Sequence, residues 1–149
     1  MNMRLRPHHL ADIFKAYGNN RDLFTPHPYG HAQHEIAEKV LNDPDTVVEF
    51  VLENDDICKP CRHLNPDNSC SDVLSQCSPV MPKQVYNDGL DLNIFKELDM
   101  KPGTCMSAVE FLKLLMTKAP KIFSLLTHPG SEEENTSSGL TKAVEKYCP

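Results

Sequence analysis

The chain has 149 residues, 40% of them hydrophobic, which suits one domain with a core of its own. Its formal net charge of −6 argues against nucleic acid or an anionic membrane as the main partner. No apolar run nears the ~18 residues of a membrane span, and MNMRLRPHHL lacks an apolar stretch after its arginines, so neither a spanning helix nor a secretory signal is expected.

Residues 4–16, RLRPHHLADIFKA, read as a short helix with Pro7 in its first turn and Leu10, Ile13 and Phe14 facing a core. A loop rich in Gly, Asn and Pro follows, from Tyr17 to Tyr29. Gly30 to Asn42 reads as a second helix, with Ile36, Ala37, Val40 and Leu41 inward. Thr46 to Leu52, TVVEFVL, is the one clear strand. A lone strand needs a partner, either in the loop after it or in a second copy of the chain. Leu90 to Met100 reads as a helix that Lys101-Pro102-Gly103 ends. Thr104 is placed to cap the next helix, with Cys105 at its start, and Pro120 ends that helix after Lys118. Lys121 to Thr127 add a turn or two. Ser131 to Gly139, SEEENTSSG, reads as polar and mobile, and a short helix closes the chain. The expected architecture is mainly α with a small β element (α+β). Residues 1–130 form one compact domain with a long metal-binding loop, and residues 131–149 form a polar linker and short helix.

The loop after the strand, DICKPCRHLNPDNSCSDVLSQC, carries Cys58, Cys61, Cys70 and Cys77 in the spacing C-x2-C-x8-C-x6-C. It has neither helical nor alternating period, so something other than apolar packing must order it. The C-x-x-C pair can turn two thiolates onto one metal, and a third thiolate can fold back onto it. In a cytoplasmic location, which the missing signal suggests, thiols favour metals over disulfides. Zinc modules usually bring a second close pair, which Cys70 and Cys77 do not form. Spacing alone leaves iron–sulfur and zinc even.

His27, His31 and His34 could share a helix face as a metal site, or form a solvated polar face opposite Ile36 and Val40. His63 could replace a thiolate but reads better as a loop residue. His128, before Pro129, and Cys148 are assigned no role. His8, His9 and Asp12 lie within about one helical turn, where local hydrogen bonds are the simplest account.

MRLRPHHLADIF, followed later by ENDDICKPC and a third cysteine, resembles a bacterial and archaeal family known as domain of unknown function 1284. The resemblance runs from about Arg4 to Lys118. It rests on Arg4, Leu5, Arg6, Pro7, His8, His9 and Leu10, and on Asp55, Asp56, Ile57, Cys58 and Cys61, with Cys70 as the following cysteine. It implies an iron–sulfur protein, most simply with one [4Fe–4S] cluster on Cys58, Cys61 and Cys70. It also implies that the first helix lies against the cysteine loop. Where the family has a further cysteine, after H-H-L-L, this chain has Asp12, which makes Asp12 the expected fourth ligand, since iron accepts carboxylate oxygen. Cys77 falls in an apparent insertion, Val73 to Lys83, and is the competing fourth ligand. A structural zinc site on Cys58, Cys61, Cys70 and Cys77 is the alternative to the cluster. The resemblance places His8 or His9 against a cluster sulfur or Asp12, and Arg4 and Arg6 near the cluster's negative charge. A redox protein or a small-molecule substrate would be the partner, and no motif names a reaction.

Overall fold

The computed structural model describes residues 2–149. Pro7 sets its first feature. A residue before proline is steered out of the helical region, and Arg6 is extended at φ −68°, ψ 141°. The residues before it therefore form a strand, β1 (Met3–Leu5), and α1 (Pro7–Gly18) starts at the proline. The helix expected over 4–16 is shifted to that extent.

β2 (Val47–Phe50) is the strand expected from TVVEFVL, and it finds its partners within the chain. β1 lies parallel to it with Arg4 opposite Glu49, and a later strand lies antiparallel on its other edge with Met106 opposite Val48. That strand is β5 (Cys105–Ser107), preceded in the chain by a small hairpin of β3 (Val73–Leu74) and β4 (Met81–Pro82). With both edges paired, β2 needs no second copy. Cys105 is thus an exposed strand residue, not the start of a helix. The next helix is α4 (Ala108–Thr117), capped by Ser107 and not by Thr104: the Ser107 side chain accepts from Glu110 N while Glu110 reaches back to Ser107 N.

The remaining helices are α2 (Gln33–Asn42), α3 (Lys83–Glu97), α5 (Lys121–Leu125) and α6 (Glu133–Tyr147). The architecture is α+β and mainly helical, as the pattern predicts. One core joins Leu10, Ile13 and Phe14 of α1, Val48 and Phe50 of β2, Ile94 of α3, Phe111 and Leu115 of α4, and Leu140 and Ala143 of α6. Phe50 and Phe111 stack with ring centroids 4.4 Å apart.

Two elements are longer than their sequence pattern suggests. α3 begins at Lys83, seven residues before Leu90. Its first two turns face polar partners, so they carry no apolar stripe. α6 takes in residues 133–139, expected to be mobile, and packs closely on α1. The contact depends on glycine. A Cβ at Gly18 would overlap the Gly139 backbone, and one at Gly139 would overlap Lys15 O and the Asn19 side chain. Gly139→Ala is therefore expected to cost about 1–3 kcal/mol through overpacking. Thermal unfolding checks this, with a fall of about 2–4 °C per kcal/mol for a chain of this size. An unchanged Tm would show that the helices separate freely.

Candidate metal centre

The chain RLRPHH and the chain NDDIC are separated by more than forty residues, and a hydrogen-bond lattice joins them. Arg4 N donates to Asp56 Oδ2 at 2.9 Å and Arg6 N to Asp55 Oδ2 at 2.6 Å. His9 Nδ1 lies 2.7 Å from the same Asp55 oxygen. The other oxygen, Oδ1, accepts from Ile57 N at 3.1 Å and Cys58 N at 3.3 Å. Asp55 is thus a buried carboxylate with four N–H donors. It fixes the turn that presents Cys58 and holds the His9 ring beside it. Burial pushes its carboxyl up, but His9 and these donors outweigh burial and hold it at about 2. The first helix and the cysteine loop do lie together, as the resemblance implies.

Between them opens a cavity of about 410 Å³, within the usual range for a ligand site. Cys58, Cys61 and Cys70 line it from the loop, and His8, His9 and Asp12 line it from α1. All six cysteines are free thiols. One donor atom each of His9, Asp55 and Cys58 lie within 4.8 Å of one another, so this group could hold a metal ion. Asp55 is already saturated by N–H donors, so it serves better as the carboxylate behind His9 than as a ligand. The Nδ1–H of His9 is then committed to Asp55, which leaves Nε2 with the lone pair, as in metal-binding histidines. Burial, followed by the charge of Asp55, pushes the Cys58 thiol up to about 12. Metal binding here must displace that proton.

The structure gives other expected site residues different partners. Asp12 lines the cavity, but both its oxygens lie 2.9–3.0 Å from His128 Nε2. Burial pushes the Asp12 carboxyl up, and His128, His8 and Lys15 more than offset it, holding it at about 2. His8 does not pair with Asp12 either: its Nδ1 lies 2.9 Å from both oxygens of Asp91. Arg6 is fully buried and its charge is met by Asp91 at 3.0 Å and Asp88 at 2.7 Å. Arg4 pairs with Glu49 and Glu53 on the surface side. Neither arginine lines the cavity, though the Arg6 charge reaches the Cys58 thiol and acts to lower it. Cys77 sits in the β3–β4 connection and does not line the cavity.

His27 and His31 stack at 4.5 Å, and each ring accepts a backbone N–H at Nδ1, from Tyr29 and Gln33. They make no three-ligand group with His34 among the described residues. His63 keeps its loop position, with Nδ1 3.3 Å from Ser71 Oγ and its ring edge-to-face with Tyr29.

Nothing in the local sequence marks Asp91 or His128 as a site residue. His128 is an isolated turn residue whose partners, Asp12 and Tyr86, lie 116 and 42 residues away. Nothing local marks it. Asp55 was legible as part of a motif, though its role as a scaffold was not. The chain matches no protein-family model, no curated protein and no solved structure.

Proposed function

We propose that the cavity binds an iron–sulfur cluster on the thiolates of Cys58, Cys61 and Cys70, with His9 as the non-thiolate ligand. The observation that carries this reading is the convergence of the three thiols and an aspartate-held imidazole on one cavity. Cys61 and Cys70 stand outside the tight His9–Asp55–Cys58 group. One ion would use that group alone, whereas a cluster of several irons spreads its ligands and engages all three thiols. The two-motif resemblance to domain of unknown function 1284 also favours iron–sulfur.

His9 replaces Asp12 in this reading because Asp12 is fully engaged with His128. A cluster supplies one-electron transfer or an iron that acts as a Lewis acid, and a histidine ligand raises its potential relative to thiolate. The chain's own part is to hold the thiols on a rigid loop and to fix the His9 tautomer through Asp55. Its partner is a redox protein or a small molecule that enters the cavity. A single zinc ion on His9, Asp55 and Cys58 is the second reading, favoured by their 4.8 Å grouping.

Serine substitutions test the ligand set. Cys58→Ser, Cys61→Ser and Cys70→Ser are each expected to lose most of the bound iron, and Cys77→Ser to keep it. Zinc bound in wild type, retained in Cys61→Ser and Cys70→Ser but lost in Cys58→Ser and His9→Ala, would favour the single-ion site.

A further inference from the structure

Asp12, Tyr86 and His128 come from α1, α3 and the turn after α5, and all three line the cavity that the cysteines line. His128 Nε2 lies 2.9 and 3.0 Å from the Asp12 oxygens, and His128 Nδ1 lies 2.8 Å from Tyr86 Oη. An ionised carboxylate only accepts, so His128 Nε2 carries a proton and donates it. In the neutral ring Nδ1 is then a lone pair, and the Tyr86 hydroxyl donates to it. This is the hydroxyl–imidazole–carboxylate order in which an acid-oriented imidazole takes a proton from a hydroxyl.

We propose that Asp12, His128 and Tyr86 form a proton relay that deprotonates the hydroxyl of a planar phenol or enol bound in the cavity. The ligand's O–H bond breaks and its proton goes to Tyr86 Oη. The Tyr86 proton goes to His128 Nδ1 in the same step. The products are the ligand oxyanion, a neutral tyrosine, and an imidazolium facing the Asp12 carboxylate. No electron is exchanged and no co-reactant is needed. The reverse step returns the proton.

Several features fit this use. Burial, and then the charge of Asp12, pushes the Tyr86 hydroxyl up to about 12, so it hands protons through and does not remain ionised. The imidazolium is faced by Asp12. Lys15 Nζ lies 3.6 Å from Asp12, and the His8 ring stands 6.1 Å from the His128 ring with Asp91 bonded to it. Tyr29 and His63, edge-to-face at 4.3 Å, line the same cavity and give it an aromatic wall, with the Arg62 guanidinium 4.7 Å over the Tyr29 ring. The relay uses none of the proposed metal ligands.

The test uses 4-nitrophenol, whose anion absorbs visible light and whose neutral form does not, with protein purified without oxygen. Wild type is expected to bind it with the anion enriched over free solution at the same pH. Tyr86→Phe, which keeps the ring, is expected to bind at least about tenfold more weakly, the scale of one lost hydrogen bond to a charged oxygen. His128→Gln and Asp12→Asn are expected to bind it in the neutral form. Binding to wild type no tighter than to Tyr86→Phe, or the same anion fraction in all four proteins, would overturn the relay. Metal analysis of the same samples separates this proposal from the metal reading. Wild type without metal that still ionises the probe ends the metal reading and supports the relay. Loss of metal in Asp12→Asn makes Asp12 a ligand and overturns the relay.

Discussion

Asp91→Ala is expected to destabilise the fold by about 3–5 kcal/mol, the cost of stranding one member of a buried ion pair. Asp91 and Arg6 both have 0% side-chain exposure. Asp91 accepts from Arg6 Nη1 at 3.0 Å and from His8 N at 2.9 Å, and it also meets His8 Nδ1. The Arg6 guanidinium has no spare partner to turn to. Its Nη2 is used by Asp88 and Asn54, and its buried Nε already lacks an acceptor. Removing the carboxylate leaves Arg6 Nη1 and a helix-terminal N–H, that of His8, without their acceptor in the interior, and Asp88 as the one remaining counter-charge on Arg6. Urea unfolding measures the effect, with a midpoint fall of about 2 M at an m-value of about 2 kcal/mol/M. Adding Arg6→Met should recover part of the loss, because it removes the stranded charge. A loss below about 1 kcal/mol in Asp91→Ala would mean that water reaches Arg6.

Asp55 is the second sensitive point, and its loss reaches both fold and site. Asp55→Ala strips the acceptor from Arg6 N, His9 Nδ1 and Ile57 N at once, while Cys58 N keeps the backbone carbonyl of residue 55 at 3.0 Å. A cost of about 3–5 kcal/mol is expected, since each orphaned buried donor alone costs about 1–3. Asp55→Asn keeps the volume but sets an amide N–H₂ against these donors and frees the His9 ring. Metal affinity is expected to fall about 10–100-fold, the usual effect of losing the carboxylate behind a histidine ligand. Chelator competition reads this separately from unfolding. Acid stability gives a further sign. The folded Asp55 carboxyl is held at about 2, below its ordinary 3.8. Its contribution is therefore complete above about pH 4 and is lost as pH falls toward 2. Asp55→Ala should flatten that acid limb of the stability curve.

What could be read from the sequence was what short-range patterns encode. Leu10, Ile13 and Phe14 with Pro7 fix α1 to within a few residues, and TVVEFVL marks β2. The cysteine spacing marks the loop, and the two motifs foretell its meeting with α1. The unread parts depend on long-range polar contacts. The start of α3 carries Gln84, Asp88 and Asp91, which bond Asn54, Arg6 and His8. Such residues show no apolar period, so the pattern shows the helix only from Leu90 onward. The first half of α6, residues 133–139, is hidden for another reason: it meets α1 through Gly139 and has no large apolar residue of its own to signal burial. At the site, Asp12 is an expected ligand only because it stands where the resembled family has a cysteine, and nothing local shows its partner. His128, which takes up both its oxygens, comes from the far end of the chain.

The measurement that bears most directly on the proposed centre is iron and acid-labile sulfide per chain in protein purified without oxygen. The account predicts a brown protein with visible charge-transfer absorbance and iron and sulfide in equal amounts, both lost in Cys61→Ser. A colourless protein with one zinc per chain, or with no bound metal, would contradict it.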